Sequence, residues 1–88
     1  MAKNKMKALF FWAAWDNNIS EKIRNFRAAC DEFNIPNALI DVETENGVNA
    51  SIMYGIRNVP AIAILRDGRC IGVERGNHAY EHLHKYVK

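Results

Sequence analysis

The segment Lys7–Trp15, with the sequence KALFFWAAW, is the most informative stretch of the chain. After Lys7 it contains only apolar residues, and it is far shorter than the roughly 20 residues that cross a bilayer. A short apolar run rich in aromatic residues is typical of a strand buried on both faces, as in a mostly parallel sheet. The sequence therefore predicts a central strand over Lys7–Ala13, and no membrane segment.

The residues that follow this strand change to helical periodicity. Apolar side chains recur on one face of the predicted helix at Ile19, Ile23, Phe26, Cys30 and Phe33. Asn18 precedes this run and Glu21 stands three residues later, an arrangement typical of a capping box. We therefore expect an amphipathic helix over residues 19–33 that is capped by Asn18.

The remainder of the chain alternates between short strands and short helices. It predicts an edge strand over Ala38–Glu43, a helix over Val48–Tyr54 ended by Gly55, a hairpin of Ala61–Leu65 and Cys70–Glu74 around Asp67-Gly68, and a helix over His78–Val87. The element order β-α-β-α-β-β-α predicts a small α/β sandwich. We assign residues 1–6 to a basic N-terminal tail and residues 7–88 to one domain.

Composition and charge exclude several classes of function. The chain has 88 residues and a net charge of +2, and its basic residues are scattered, which argues against a nucleic-acid partner. Cys30 and Cys70 have no metal-binding or disulfide-framework spacing, which favours a reducing, cytoplasmic location. His78-Ala79-Tyr80-Glu81-His82 matches a zinc-protease pattern, but the chain offers neither a third ligand nor a substrate cleft. We expect no metal and no cofactor.

Three separated blocks of sequence resemble the thioredoxin family. They are Phe11–Trp15, similar to the strand before the family's active site; Tyr54–Pro60, similar to its cis-proline loop; and Asp67, Gly68 and Gly76, similar to its hairpin and following glycine. The resemblance implies a four-stranded mixed sheet in the order 2-1-3-4 with three helices, a helix pair on one face and the short middle helix on the other. It also implies a cis Val59–Pro60 bond, and a minimal domain without the family's N-terminal strand and helix, as in short archaeal and phage relatives.

The departures from the family pattern concern the catalytic positions. Where the family has Cys-Gly-Pro-Cys, this chain has Asp16, Asn17, Asn18 and Ile19, and the family's buried aspartate corresponds to Phe10. Disulfide exchange requires a thiolate and a second thiol that resolves the mixed disulfide. We therefore expect the chain not to be an enzyme.

The resemblance then implies a binding role for the former active-site groove. We expect the groove to accept another protein or an extended peptide segment through Trp15, Asp16, Asn17, Asn58, Val59, Pro60, Gly76 and Asn77. The alternative is an accessory or assembly subunit, for example of a polymerase or of a phage-encoded complex, that uses an uncovered sheet face and edge strand. A weak thiol enzyme is the third possibility. The sequence does not predict the oligomeric state.

Single residues in this region allow two interpretations each. Asp16 either compensates the charge of the helix N-terminus or contacts a ligand directly. Trp15 either anchors a partner at the mouth of the groove or folds onto its neighbours. Cys30 lies on the apolar stripe of the first helix and is expected to pack in the core, whereas Cys70 follows the hairpin turn and is expected to be partly exposed.

Overall fold

The computed structural model describes residues 5–87 of the chain, and these form one sheet with helices on both faces. In chain order the elements are β1 (Met6–Trp12), α1 (Ile19–Glu32), β2 (Asn37–Asp41), α2 (Glu45–Tyr54), β3 (Ala61–Arg66), β4 (Arg69–Arg75) and a 3-10 helix (Ala79–Tyr86). Met6, which the sequence assigned to a tail, is already part of β1, and residues 1–4 of that tail lie outside the described residues. No helix among residues 5–87 is long and apolar enough to cross a membrane.

The four strands are ordered β2-β1-β3-β4, which confirms the predicted topology. Only β1 and β2 are parallel; β1 pairs antiparallel with β3, and β3 with β4. The sheet is therefore mixed, as the resemblance implied, and not mostly parallel, as the apolar run of β1 alone suggested. The apolar run of β1 indicates only that both faces of the strand are buried. A strand can be buried on both faces whether its neighbours are parallel or antiparallel, so the run does not predict strand direction.

Helices cover the two faces of the sheet unequally, with a separate apolar core on each side. On one face, α1 and the 3-10 helix pack on β1 and β3, where the rings of Phe10 and Phe26 stack with centroids 4.9 Å apart. On the other face, α2 packs alone, and Tyr54 meets Phe11 edge to face. Because the side chains of a strand alternate between faces, the consecutive residues Phe10 and Phe11 lie in different cores.

The helix α1 begins where the sequence predicted, but without the predicted cap. Asn18 has a left-handed backbone conformation (φ 64), and its side chain makes no capping hydrogen bond. A capping side chain requires an extended backbone at this position, so the left-handed geometry removes the capping box with Glu21. The carbonyl of Asn18 still accepts a hydrogen bond from the N–H of Lys22 at 3.1 Å.

The helix α2 starts three residues earlier than the predicted Val48. Thr44 is its N-cap, and the Thr44 hydroxyl accepts a hydrogen bond from the N–H of Gly47 at 2.9 Å. Gly55 ends the helix in the left-handed conformation, as predicted. Gly47 is buried against the carbonyl of Asp41 so closely that a Cβ atom would overlap it. This contact sets the distance between α2 and the end of β2.

The last helix is a 3-10 helix and not the predicted α-helix. Ala79 and Leu83 are buried against the sheet. Contacts at both ends hold the segment: the N–H of Ala79 donates to the carbonyl of Gly76, and the Arg66 guanidinium donates to the carbonyl of Tyr86 at 2.8 Å. A 3-10 helix rises about 2.0 Å per residue against about 1.5 Å in an α-helix, so it spans a longer distance between such anchors.

Candidate functional site

The site begins in the loop that connects β1 to α1. Ala13, at the end of β1, is fully buried, and its carbonyl accepts a hydrogen bond from the N–H of Asp16 at 3.1 Å. This tight turn brings Trp15 to the surface, where it is 67% exposed. The side chain of Trp15 therefore lies at the surface and not in the core.

Asp16 is held by an ion pair that the sequence did not predict. Its Oδ1 lies 2.6 Å from the Nζ of Lys22, and the two side chains are only 14% and 18% exposed. The other carboxylate oxygen, Oδ2, is buried and has no hydrogen-bond partner among residues 5–87. The negative charge of Asp16 is therefore balanced mainly by the amine of Lys22, which lies one helical turn inside α1. Within the described residues, no side chain caps the amides at the start of this helix.

The residues at the other catalytic positions of the thioredoxin pattern are apolar and packed. Ile19 is half-buried against the core formed by α1 and the 3-10 helix. Phe10, which corresponds to the family's buried aspartate, is 3% exposed and stacks on Phe26. Neither side chain can donate or accept a proton.

The two cysteines lie away from this loop, and both are free thiols. Cys30 is fully buried in α1, and this burial, with a smaller contribution from Asp31, raises the pKa of its thiol to about 12. Cys70 is exposed on β4, and its Sγ lies 3.5 Å from the carbonyl oxygen of Gly72. These positions agree with the predictions for both residues.

The loop that follows α2 forms the opposite side of the site. The Val59–Pro60 peptide bond is cis, as the resemblance implied. The carbonyl of Pro60 accepts a hydrogen bond from the N–H of Gly76 at 3.0 Å, which ties this loop to the end of β4. Among residues 5–87, neither the N–H nor the carbonyl of Val59 takes part in a hydrogen bond between backbone groups. Val59 itself is half-buried.

Two neighbouring cavities meet at Trp15 and Val59. The first, which we call the Arg57 cavity, has a volume of about 360 Å³ and is lined by Trp15, Val42, Ser51, Ile56, Arg57, Asn58 and Val59. The second, which we call the Asp16 cavity, has a volume of about 500 Å³ and is lined by Trp15, Asp16, Asn17, Asn18, Lys22, Val59, Pro60 and Asn77. Together they form the Trp15–Val59 groove, which runs across the end of the sheet where β1 stops and β3 begins.

The groove contains most of the residues that the sequence proposed for it. Trp15, Asp16, Asn17, Val59, Pro60 and Asn77 line the Asp16 cavity, and Asn58 lines the Arg57 cavity. Gly76 lines neither cavity, but positions the loop through its hydrogen bond to Pro60. The sequence missed Lys22 and Arg57. Lys22 does not belong to the apolar face of α1, and nothing in the local sequence indicates that its amine reaches back to Asp16.

The zinc-protease pattern at His78–His82 does not form a metal site. His78 lies near Glu81, and His82 near Glu74, so the two imidazoles have different partners. In the part of the chain that the structure describes, no group of three or more histidine, cysteine, aspartate or glutamate side chains is placed to hold a metal ion.

Comparison with solved structures identifies the fold. A mutant thioredoxin from Halobacterium salinarum superposes with a TM-score of 0.78 at 20% identity, over 97% of this chain and 77% of that protein. Fasciola hepatica thioredoxin gives a TM-score of 0.77 at 18% identity over 94% and 79% of the two chains. Arabidopsis thaliana thioredoxin O2 gives 0.77 at 14% identity over 94% and 76%. No protein-family model and no curated protein matches the sequence.

These similarities, with the sheet order β2-β1-β3-β4 and helices on both faces, show that the chain has a thioredoxin-like fold. At this level of identity they define the fold and not the activity. The function therefore has to be argued from the groove.

Proposed function

We propose that this chain is a redox-inactive thioredoxin-like protein that binds an extended segment of another protein in the Trp15–Val59 groove. The observation that supports this most directly is the combination of an exposed tryptophan with the unpaired backbone groups of Val59, between two cavities. An extended chain that pairs with Val59 satisfies its N–H and carbonyl, as in strand addition, and places side chains into the cavities. Trp15 then supplies a large apolar contact at low entropic cost.

The absence of redox activity is proposed from the chemistry of the available groups. Asp16 is ion-paired and Ile19 is apolar, so the loop before α1 offers no nucleophilic sulfur. The Cys30 thiol is buried and its pKa is raised to about 12, which keeps it protonated at neutral pH. Cys70 is exposed, but the other cysteine of the chain is enclosed in the core on α1. A mixed disulfide at Cys70 therefore has no second thiol to resolve it.

Affinity capture tests the binding role. The tagged chain is used to capture proteins from an extract of its native host, and the captured proteins are identified by mass spectrometry. Trp15→Ala should abolish capture of the specific partner, whereas Met53→Ala should not. Met53 is a matched control because it is 72% exposed and lines neither cavity of the groove. Undiminished capture by Trp15→Ala would exclude the groove as the interface.

A second candidate function, an assembly subunit, is supported by the outer face of α2. Val48, Ile52 and Met53 are 46%, 75% and 72% exposed there. Large apolar side chains clustered on a surface helix are typical of protein interfaces. Capture that is lost with Met53→Ala and kept with Trp15→Ala would favour this function over groove binding.

NMR titration with the captured partner locates the interface independently. Groove binding should move the amide resonances of Trp15, Val59 and Asn77. Perturbations that cluster instead on residues 39–43, at the edge of the sheet, would favour assembly through β2.

A further inference from the structure

The two cavities of the groove differ in charge. In the Asp16 cavity, the carboxylate of Asp16 and the amine of Lys22 lie 2.6 Å apart and offset each other. The Arg57 cavity is lined by one cation, Arg57, and by no acidic residue. The groove therefore has a positive end and a neutral end.

Arg57 is available to a ligand. Its side chain is exposed, and within residues 5–87 it forms no salt bridge and no side-chain hydrogen bond. By contrast, the guanidinium of Arg66 donates a hydrogen bond to the carbonyl of Tyr86. An unpaired arginine at the rim of a cavity presents several N–H donors in a planar fork that matches the geometry of a carboxylate.

Other residues that line the Arg57 cavity also carry hydrogen-bond donors. Asn58 is exposed and offers an amide N–H, and Trp15 offers an indole N–H. Ser51 also lines the cavity, and its buried hydroxyl has no hydrogen-bond partner in the described part of the chain. Val42 and Ile56 supply apolar surface, which suits the methylene groups of a side chain. A donor-rich cavity with one free cation and an apolar part fits a glutamate or aspartate side chain.

We propose that the Arg57 cavity is a specificity subsite for an acidic side chain of the bound segment. This inference rests on the proposed groove-binding function. The extended segment pairs with Val59, and its carboxylate lies against the Arg57 guanidinium on the α2 side of Trp15. The Asp16 cavity, where the charge is already balanced, accepts an uncharged side chain.

Selection from a library of short random peptides tests the subsite. The native chain, Trp15→Ala, Arg57→Gln and Arg24→Gln are each used as bait. Arg24→Gln is the matched control, because it also removes one exposed arginine but from a position on α1 that lines neither cavity. The native chain and Arg24→Gln should select peptides with an acidic residue at one fixed position. Arg57→Gln should select the same core sequence without this acidic bias.

Binding measurements on a selected peptide then quantify the contact. Replacing its glutamate by glutamine should weaken binding to the native chain about fivefold at low salt, and less at high salt, as for a partly exposed ion pair. The same replacement should leave binding to Arg57→Gln unchanged. Peptides that depend on Trp15 but show no acidic bias would overturn the subsite and leave groove binding intact. If no selected peptide depends on Trp15, both proposals are wrong.

Discussion

Cys30 and Cys70 show how the position of a residue in the fold determines its chemistry. Both are free thiols, but Cys30 has no exposed surface whereas Cys70 lies on an exposed part of β4. Burial of Cys30, and secondarily the nearby charge of Asp31, raises the pKa of its thiol to about 12. A thiol reacts through its thiolate, so these two side chains should differ strongly in reactivity.

Alkylation should therefore modify only one thiol of the folded chain. At about pH 8, near the ordinary pKa of a cysteine, iodoacetamide should label Cys70 while Cys30 remains unmodified. Both thiols should be labelled after unfolding in guanidinium. Mass spectrometry of the intact protein and its peptides measures the sites, and Cys70→Ser serves as the control that should take up no label while folded. Rapid labelling of Cys30 in the folded chain would contradict its buried position.

The helix α2 depends on one close contact with the end of β2. Thr44 caps the helix, and its hydroxyl also donates to the carbonyl of Asp41 at 2.8 Å. Gly47 packs on the same carbonyl and leaves no room for a Cβ atom. Among residues 5–87, α2 is the only helix on its face of the sheet, and Tyr54 near its end packs in the core on that face.

Gly47→Ala should lower the free energy of unfolding by about 2–4 kcal/mol, because a backbone carbonyl cannot move aside as a flexible side chain can. Gly55→Ala is the control. It has a left-handed backbone with no atom within 4 Å of the added methyl group. That change should cost only about 1 kcal/mol of conformational strain. Urea unfolding followed by circular dichroism measures both values, and equal losses would contradict the proposed overlap.

A polar cluster joins the 3-10 helix to β4. The carboxylate of Glu74 accepts a hydrogen bond from the Tyr86 hydroxyl at 2.6 Å and lies 3.2 Å from the Lys85 amine and 3.0 Å from the His82 imidazole. Burial alone would raise the pKa of Glu74, but the hydrogen bonds from Tyr86, Lys85 and His82 outweigh it and lower the pKa. Burial, together with the hydrogen bond to Glu74, raises the pKa of Tyr86 to about 12.

The Glu74 carboxylate should make stability depend on acid pH. A group whose pKa is lowered by folding stabilises the protein above its unfolded pKa, about 4.3 for glutamate, and loses this contribution as the pH falls through the folded value. The stability advantage of the native chain over Glu74→Gln should thus be present above about pH 4.3 and shrink below it. Urea unfolding over a pH series measures it. An advantage that persists in acid would contradict the lowered pKa.

Tyr86 provides the opposite test at alkaline pH. Its pKa is raised by folding, so its contribution is present below the unfolded pKa, about 10, and is lost as the pH rises through the folded value. The advantage of the native chain over Tyr86→Phe should therefore decrease above about pH 10. A difference that does not change with pH would show that the hydroxyl is not buried against Glu74.

At the scale of the whole molecule, the chain has a thioredoxin-like fold but no Cys-x-x-Cys sequence. The sheet order and the helix layers match the thioredoxin-like fold of the compared structures. Asp16, in the loop before α1, and Ile19, the first residue of α1, are separated by two residues. The scaffold should therefore tolerate a pair of thiols at these positions.

An insulin reduction assay with dithiothreitol tests whether this fold gains redox activity when thiols are introduced at positions 16 and 19. The native chain should give no turnover above the uncatalysed rate. Asp16→Cys combined with Ile19→Cys should form a 16–19 disulfide and restore weak activity, which stays slow because Phe10 cannot relay a proton. The single variant Asp16→Cys is the control and should not turn over, because it has no resolving thiol. A folded double variant that never forms the disulfide would contradict the assignment of these two positions.

The sequence by itself determined the elements and their order. The apolar run Lys7–Ala13 and the helical spacing from Ile19 to Phe33 report burial, and burial follows from periodicity alone. The Asp67-Gly68 turn was predicted from its residue types, because aspartate and glycine tolerate the positive φ that both residues adopt. Resemblance of separated blocks located the groove around Trp15 and Pro60.

Only the tertiary structure decided the direction of β3 relative to β1, the 3-10 form of the last helix and the charges of the groove. The Asp16–Lys22 pair and the unpaired Arg57 depend on where side chains end in space, and neither has a local sequence signal. The cap at Asn18 failed for a similar reason, because the tight loop from Ala13 sets its backbone to φ 64. Periodicity measures which side of an element is buried, whereas pairing, charge balance and cap geometry depend on contacts between separate parts of the chain.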